Sequence, residues 1–242
     1  MQLLWSLLIV DPLIAISTII CGTISLVLVE LDASGRKAFS IARFWARTLL
    51  AFPFVRVKVE GLEKIDPSKA YVFVCNHLSY MDTPAILANI PCEFRFLAKS
   101  ELFKIPFMGH YLGRGGHIPV ELEDPRGSVR TLLHAAKVVQ NKGYSLLIFP
   151  EGGPSETGVL QPFMDGAAFL AIRARIPLVP IALIGTREVL PMHGKKFTPG
   201  VVRLRIGDPL STEGLTSADR ATLTATSRGK IVELLEMVES TR

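Results

Sequence analysis

The sequence is short of cysteine, of aromatic residues and of dense basic runs, and each shortage excludes something. Its three cysteines, Cys21, Cys75 and Cys92, are odd in number and scattered. Neither a disulfide framework nor a zinc spacing follows, and a reducing compartment is the natural setting. Aromatic residues make up only 8% and there is no long Lys/Arg block. That argues against nucleic acid as the partner of a chain with formal net charge +5. An anionic membrane surface or anionic substrates suit such a balance better. No Gly-x-Ser-x-Gly elbow occurs, so the usual serine-hydrolase signature is missing. No internal repeat or low-complexity tract is present.

What is there divides unequally. The 242 residues suffice for one sizeable core plus an appendage. Mean hydropathy is high, +0.36, and the excess is concentrated at the N-terminus. After Asp11-Pro12, the 17 residues Leu13 to Val29 carry no charge. As a helix they measure ~25 Å, the short limit of a membrane span. Asp11-Pro12 is expected to start this helix, since proline is tolerated in a first turn. A secretory signal fits less well, because no basic stretch precedes the run and no small-x-small site ends it. Ala33-Ser34-Gly35 reads as a turn. In the segment that follows, Arg36, Arg43 and Arg47 share one helical face, and Ala38, Ile41, Ala42, Trp45 and Leu49 share another. This is the pattern of a basic amphipathic helix on anionic lipid, with a domain helix bearing a solvated basic face as the plainer reading. Two arrangements stay open, a single span or two helices in one leaflet. If the run spans, its basic flank places the rest of the chain in the cytoplasm. Residues 1–54 are thus expected to be a membrane-docking helical segment and 55–242 a separate folded domain.

In that domain, apolar runs and alternation predict strands near 56–61, 70–75, 94–98, 117–120, 144–149, 178–184 and 201–206. Helices are expected over 83–89, 125–141, 166–175 and 217–238. Asp82 is a plausible cap of the first, and Val129 and Val238 are placed on inward faces of the second and the last. The alternation argues for an α/β fold, a mixed, mostly parallel sheet covered by helices.

Two of those strands end in groups that carry chemistry. The first runs into Asn76-His77-Leu78-Ser79-Tyr80-Met81-Asp82. Residues five apart do not face each other on a regular helix. His77 and Asp82 can therefore meet only across a turn, where a carboxylate on one imidazole nitrogen leaves the other free as a base. A structural histidine beside a helix-capping aspartate stays open at this point. So does Cys75 as a nucleophile beside His77, two apart on a strand, although buried cysteines are usually inert. The second strand runs into Phe149-Pro150-Glu151-Gly152. Glu151 has the chemistry to bind substrate hydroxyls, and Gly152 lets backbone approach closely. In an open α/β sheet both stretches would lie at the strands' carboxyl ends.

Asn76-His77…Asp82, Phe149-Pro150-Glu151-Gly152 and Val179-Pro180-Ile181, in that order, resemble the lysophosphatidate (1-acylglycerol-3-phosphate) acyltransferase family. So do Phe103-Lys104-Ile105-Pro106-Phe107-Met108-Gly109 and Gly116-His117-Ile118. The resemblance covers about residues 55 to 215. It implies His77 as general base toward an sn-2 hydroxyl, oriented by Asp82. It also implies direct transfer from an acyl thioester of coenzyme A or acyl carrier protein, without metal or cofactor. Two departures stand out. The family usually continues Pro-Glu-Gly with Thr-Arg-Ser, where this chain has Gly153-Pro154-Ser155, and Leu122 stands where a second arginine is usual. Both arginines are expected to grip the acceptor's phosphate. Glu151, Gly152 and Ser155 remain as substrate-binding candidates, with Lys99 and Arg114, and His117 and Arg126 behind them, as compensating cations. The partners implied are membrane lipids, a lysolipid acceptor and the thioester donor, with no nucleic acid. An acceptor other than lysophosphatidate, or a non-catalytic lipid-binding scaffold, stays open.

Overall fold

The computed structural model describes residues 1–121 and 125–237, and only the backbone of 125 and 126. Leu122, Val238 and the Arg126 side chain lie outside that description. The first helix, α1 (Gln2–Leu31), is long and apolar enough to cross a membrane. It does not start at Asp11-Pro12 as expected. It runs through them, and a wider π turn, Ser6–Val10, lies just ahead. Proline inside a helix removes one amide and crowds the carbonyl four residues back, and a widened turn accommodates both.

The sidedness of α1 is reversed relative to a soluble helix. Ser6, Val10, Ser17, Cys21, Ser25 and Val29 are buried, whereas Leu8, Ile16, Ile19, Ile20, Val27 and Leu31 are exposed. Small and polar residues therefore face the protein, and the bulky apolar ones form an outward stripe that suits lipid. A turn at 32–35 leads into α2 (Arg36–Ala51), which packs back along α1: Ser17 Oγ meets Thr48 Oγ1 at 2.6 Å and Trp45 Nε1 donates to Thr18 Oγ1 at 3.0 Å. The basic face expected on lipid is partly turned to the domain. Arg43 donates to the carbonyls of Ile90 and Pro91 at 2.5 and 3.1 Å, and Arg36 pairs with Glu93 at 3.0 Å. Arg36 and Arg47 are exposed, and Arg43 is the half-buried one of the three.

Seven strands form one sheet: β1 (Val55–Glu60), β2 (Val72–Cys75), β3 (Phe94–Lys99), β4 (Ile118–Val120), β5 (Ser145–Ile148), β6 (Leu178–Ile184) and β7 (Gly200–Ile206), in the order β1-β7-β6-β2-β5-β3-β4. All neighbours are parallel except β6 and β7. Helices cover both faces: α3 (Asp82–Asn89), α4 (Met108–Arg114), α5 (Pro125–Lys142), α6 (Gly166–Ala174), the short α7 (Thr186–Val189) and α8 (Arg220–Glu236). Alternate residues of the central strands enter opposite cores, as a sheet covered on both faces requires. Phe73, Leu147, Val179, Ile181 and Leu183 join the side of α2 and α3. Val72, Val74, Leu146, Ile148 and Leu178 join the side of α5, α6 and α8. Val129 of α5 is exposed, contrary to expectation, while Leu132, Ala135, Ala136 and Val139 carry that helix's packing.

A buried arginine at the start of β3 fastens the hairpin to the sheet. Arg95 donates to Gly115 O at 2.6 Å, Ser34 O at 3.0 Å and Glu93 Oε1 at 2.8 Å, and its guanidinium lies over Tyr144. Ser34 belongs to the turn between α1 and α2, so the α1–α2 hairpin has a fixed register on the domain.

Candidate active site

Register sets the site. β2 and β5 are parallel neighbours with Val74 opposite Ile148. Three residues further along each strand stand His77 and Glu151, and they meet: His77 N donates to Glu151 Oε1 at 2.7 Å. The other Glu151 oxygen accepts from Gln161 N at 2.8 Å. One carboxylate thus ties both strand-end loops together. Burial pushes the Glu151 carboxyl above its usual range, opposed by these two amides. Gly152 follows with φ +78°, a left-handed conformation that suits glycine. Ser155 N donates to His77 O at 2.8 Å, while its buried hydroxyl donates to Val159 O at 2.7 Å. Its backbone braces the histidine, and its side chain closes its own loop.

The loop from His77 to Asp82 folds as the five-residue spacing demands. Asp82 is the first residue of α3 and not its cap. Its side chain turns back over the loop, where Oδ2 accepts from His77 Nδ1 at 2.8 Å, Leu78 N at 2.6 Å and Ser79 N at 2.8 Å. Asp82 is fully buried, and Oδ1 has no partner among the described residues. With Nδ1 given to the carboxylate, the proton sits there and Nε2 is left with its lone pair. The imidazole is 18% exposed, so that nitrogen serves a partly open site. Phe149 stacks on the ring, centroids 4.0 Å apart, and limits its rotation.

Asn76 holds the strand end itself. It is fully buried and exchanges two bonds with Leu183, Nδ2 to O at 2.9 Å and N to Oδ1 at 2.8 Å. Beyond the last β2–β6 ladder pair, a side chain replaces backbone as partner. Ser79 adds a bond to Leu190 O. Asn76 and Phe149 stand within the two motifs, but residue types alone give no sign of these roles, which depend on β6 lying beside β2 and on the ring orientation. Cys75 is buried on the same strand. Burial first, then the Asp82 and Glu151 charges, push its thiol well above the usual value, which leaves it no thiolate for nucleophilic attack.

The cation candidates separate. Lys99, at the end of β3, brings Nζ beside Gly153, 3.6 Å from where a Cβ would stand. The absent side chain leaves space for that ammonium next to the Pro-Glu-Gly loop. Arg114 instead holds Glu30 at the end of α1, with contacts of 2.7 and 3.1 Å, joined by His110 at 2.7 Å. His117 is buried, and its pKa is pushed down to about 3 by burial and by Arg95, so it is no cation at neutral pH. Among the described residues no group of three or more His, Cys, Asp and Glu side chains comes together to hold a metal.

The acyltransferase family profile matches residues 56–184, a little over half of the chain. The chain is 32% identical over 234 residues to a chloroplastic 1-acyl-sn-glycerol-3-phosphate acyltransferase, BAT2, of Brassica napus, covering 91% of this chain and 66% of that one. It is 30% identical over 165 residues to 1-acyl-sn-glycerol-3-phosphate acyltransferase alpha of Homo sapiens, covering 68% and 58%. The crystal structure of the 1-acyl-sn-glycerophosphate acyltransferase PlsC from Thermotoga maritima superposes with TM-score 0.73 at 27% identity, over 91% of this chain and 90% of that one. The chain spans between half and two thirds of the length of the curated relatives it matches first.

Proposed function

The chain belongs to the acyltransferase family, and from that premise we propose that it transfers a fatty acyl group from a thioester to the sn-2 hydroxyl of lysophosphatidate, forming phosphatidate. The observation that carries this reading is the His77–Asp82 pair held against the Pro-Glu-Gly loop by Glu151. His77 Nε2 takes the hydroxyl proton as the acceptor oxygen attacks the thioester carbonyl. Asp82 supports the imidazolium that forms. The tetrahedral intermediate collapses, the C–S bond breaks, and the imidazolium returns its proton to the departing thiolate. No acyl group is carried on the protein, and the donor is acyl-coenzyme A or acyl-acyl carrier protein. A positioned base contributes ~100- to 10,000-fold, and the remainder comes from holding the two substrates in line. Neither a metal nor a cofactor is required by this scheme.

We place the reaction at a membrane surface, on the cytoplasmic side that three unpaired cysteines suit. The start of α1 is bonded to the domain through Ser6 and Phe197 N, 2.9 Å, and its end through Glu30. A helix fastened at both ends to one domain lies along it, which supports a hairpin in one leaflet over a span.

A second acceptor class is favoured by one observation. Pro154 stands where the family's phosphate-gripping arginine is usual, and the cation beside Gly153 is Lys99. Lys99 supplies a point charge without the bidentate fork, which suits a lysolipid without a phosphate monoester. The deciding experiment assays the purified chain with lysophosphatidate and with lysolipids lacking that monoester, each with both donors. Preference for lysophosphatidate supports the first reading. Transfer only to the other acceptors supports the second, and no transfer to any hydroxyl acceptor contradicts both.

A further inference from the structure

Between β3 and α4 the backbone takes up strain to expose an apolar side chain. Met108 N donates to Pro106 O at 2.7 Å, and Phe107 between them has φ +63° and ψ −53°. This is the rare, strained γ-turn of positive φ. Its apex is a phenylalanine that is 76% exposed, with Leu102, Ile105 and Met108 exposed around it. The turn is firmly built. Gly109 N donates to Ile105 O at 2.7 Å and Tyr111 N to Phe107 O at 3.0 Å. Gly109 packs so closely that a Cβ would come within 1.9 Å of Phe103 O.

We propose that this turn is a second lipid-contacting element, which inserts Phe107, flanked by Ile105 and Met108, into the acyl-chain boundary of an anionic leaflet beside α1. Three observations select lipid as the occupant. The first is continuity: His110 and Arg114 of the helix leaving the turn hold Glu30, which ties that helix to the end of α1 where Val27 and Leu31 face outward. The second is charge: Lys104, within the turn, is exposed, as is Lys99 five residues before it. Ammonium groups flanking an apolar apex match anionic headgroups above hydrocarbon. The third is shape, since a convex apex finds little cover on a rigid protein surface, whereas a fluid leaflet closes around it. With Lys99 beside Gly153, the turn would seat the active-site edge at headgroup depth. The inference concerns docking alone and does not rest on the acyl-transfer reading.

The test uses the full chain and vesicles of phosphatidylcholine with phosphatidylglycerol. Phe107→Cys is labelled with bimane, the native cysteines being buried. The expected result is a blue shift on vesicle binding and quenching by lipids brominated along the acyl chain. Phe107→Glu should weaken vesicle partition by roughly tenfold or more. Val129→Glu, exposed on α5 over the face of the sheet away from α2 and α3, should leave it unchanged. Phe107→Gly separates docking from folding: glycine adopts positive φ without strain, so its melting temperature should not fall while its partition does. A label that stays water-exposed on bound protein, or Phe107→Glu binding as tightly as the parent, overturns the proposal. A blue shift that rises with protein concentration without vesicles indicates a protein partner and overturns it too.

Discussion

His77 and His117 differ in function because of what meets one ring nitrogen. Both rings lie against a phenylalanine, Phe149 for one and Phe96 for the other, and both use Nδ1. At His77 the partner is the Asp82 carboxylate, an acceptor, so Nδ1 carries the proton and Nε2 is free to take another. At His117 the partner is the Phe96 N–H, a donor at 3.0 Å, so Nδ1 must be bare and the neutral ring keeps its proton on Nε2. Burial beside Arg95 then keeps that ring neutral. The first arrangement makes a base and the second a buried strut between β3 and the start of β4. A histidine near a strand is not informative by itself; the polarity of its partner is.

Asp82→Asn breaks this contrast most severely. An amide oxygen in the place of Oδ2 carries no full charge, so it accepts more weakly from Nδ1–H and the two loop amides and supports the imidazolium poorly; turned the other way, its NH2 faces Nδ1 and selects the wrong tautomer. Transfer should fall by about a thousandfold or more, read as kcat with the fold checked by circular dichroism. Glu151→Gln comes next. One oxygen becomes an amino group facing the His77 or Gln161 N–H, and misplacing the histidine backbone should lower kcat roughly ten- to hundredfold.

His117→Asn sharpens the other side of the contrast. The native ring resists protonation, whereas the unfolded ring titrates near 6.5. The unfolded state therefore binds more protons between those limits, so this ring's contribution to stability is present above pH ~6.5 and is lost as pH falls toward 3. Denaturant titrations of the parent should show this ring's share of the slope, at most ~1.4 kcal/mol per pH unit. In His117→Asn that share should be absent, with turnover close to the parent's.

The smallest effect asks the same question of the arginines. Arg47 is exposed and Arg43 is bonded to Ile90 and Pro91 carbonyls. Arg47→Glu should weaken partition onto anionic vesicles about fivefold or more. Arg43→Ala should lower the melting temperature and leave partition alone.

Much of the fold was legible because strands buried on both faces read as short apolar runs. All seven strands and their mixed, mostly parallel arrangement follow from that pattern. The His77–Asp82 contact was legible as well, since only a turn reconciles a five-residue spacing with a contact. What sequence could not provide is direction and partner. Asp82 resembles a helix cap until its carboxylate is seen folded back on Leu78 and Ser79. Arg43 reads as part of a lipid-facing stripe because periodicity identifies a face but not what covers it, here the Ile90 and Pro91 carbonyls. Pro12 reads as a helix start because proline usually is one, and a π turn is not written in residue types. Arg95 is buried among four acceptors, and the two that tie it to the rest of the chain, Ser34 O of the hairpin turn and Gly115 O of a loop some twenty residues on, leave no local signal.

The contrast is tested most directly by initial rates of acyl transfer from acyl-coenzyme A to lysophosphatidate, with His77→Ala and His117→Asn measured beside the parent and the fold of each checked by circular dichroism. The account predicts that His77→Ala loses ~100- to 10,000-fold while His117→Asn keeps a rate close to the parent's. Comparable losses in the two variants, or a His77→Ala rate near the parent's, would contradict it.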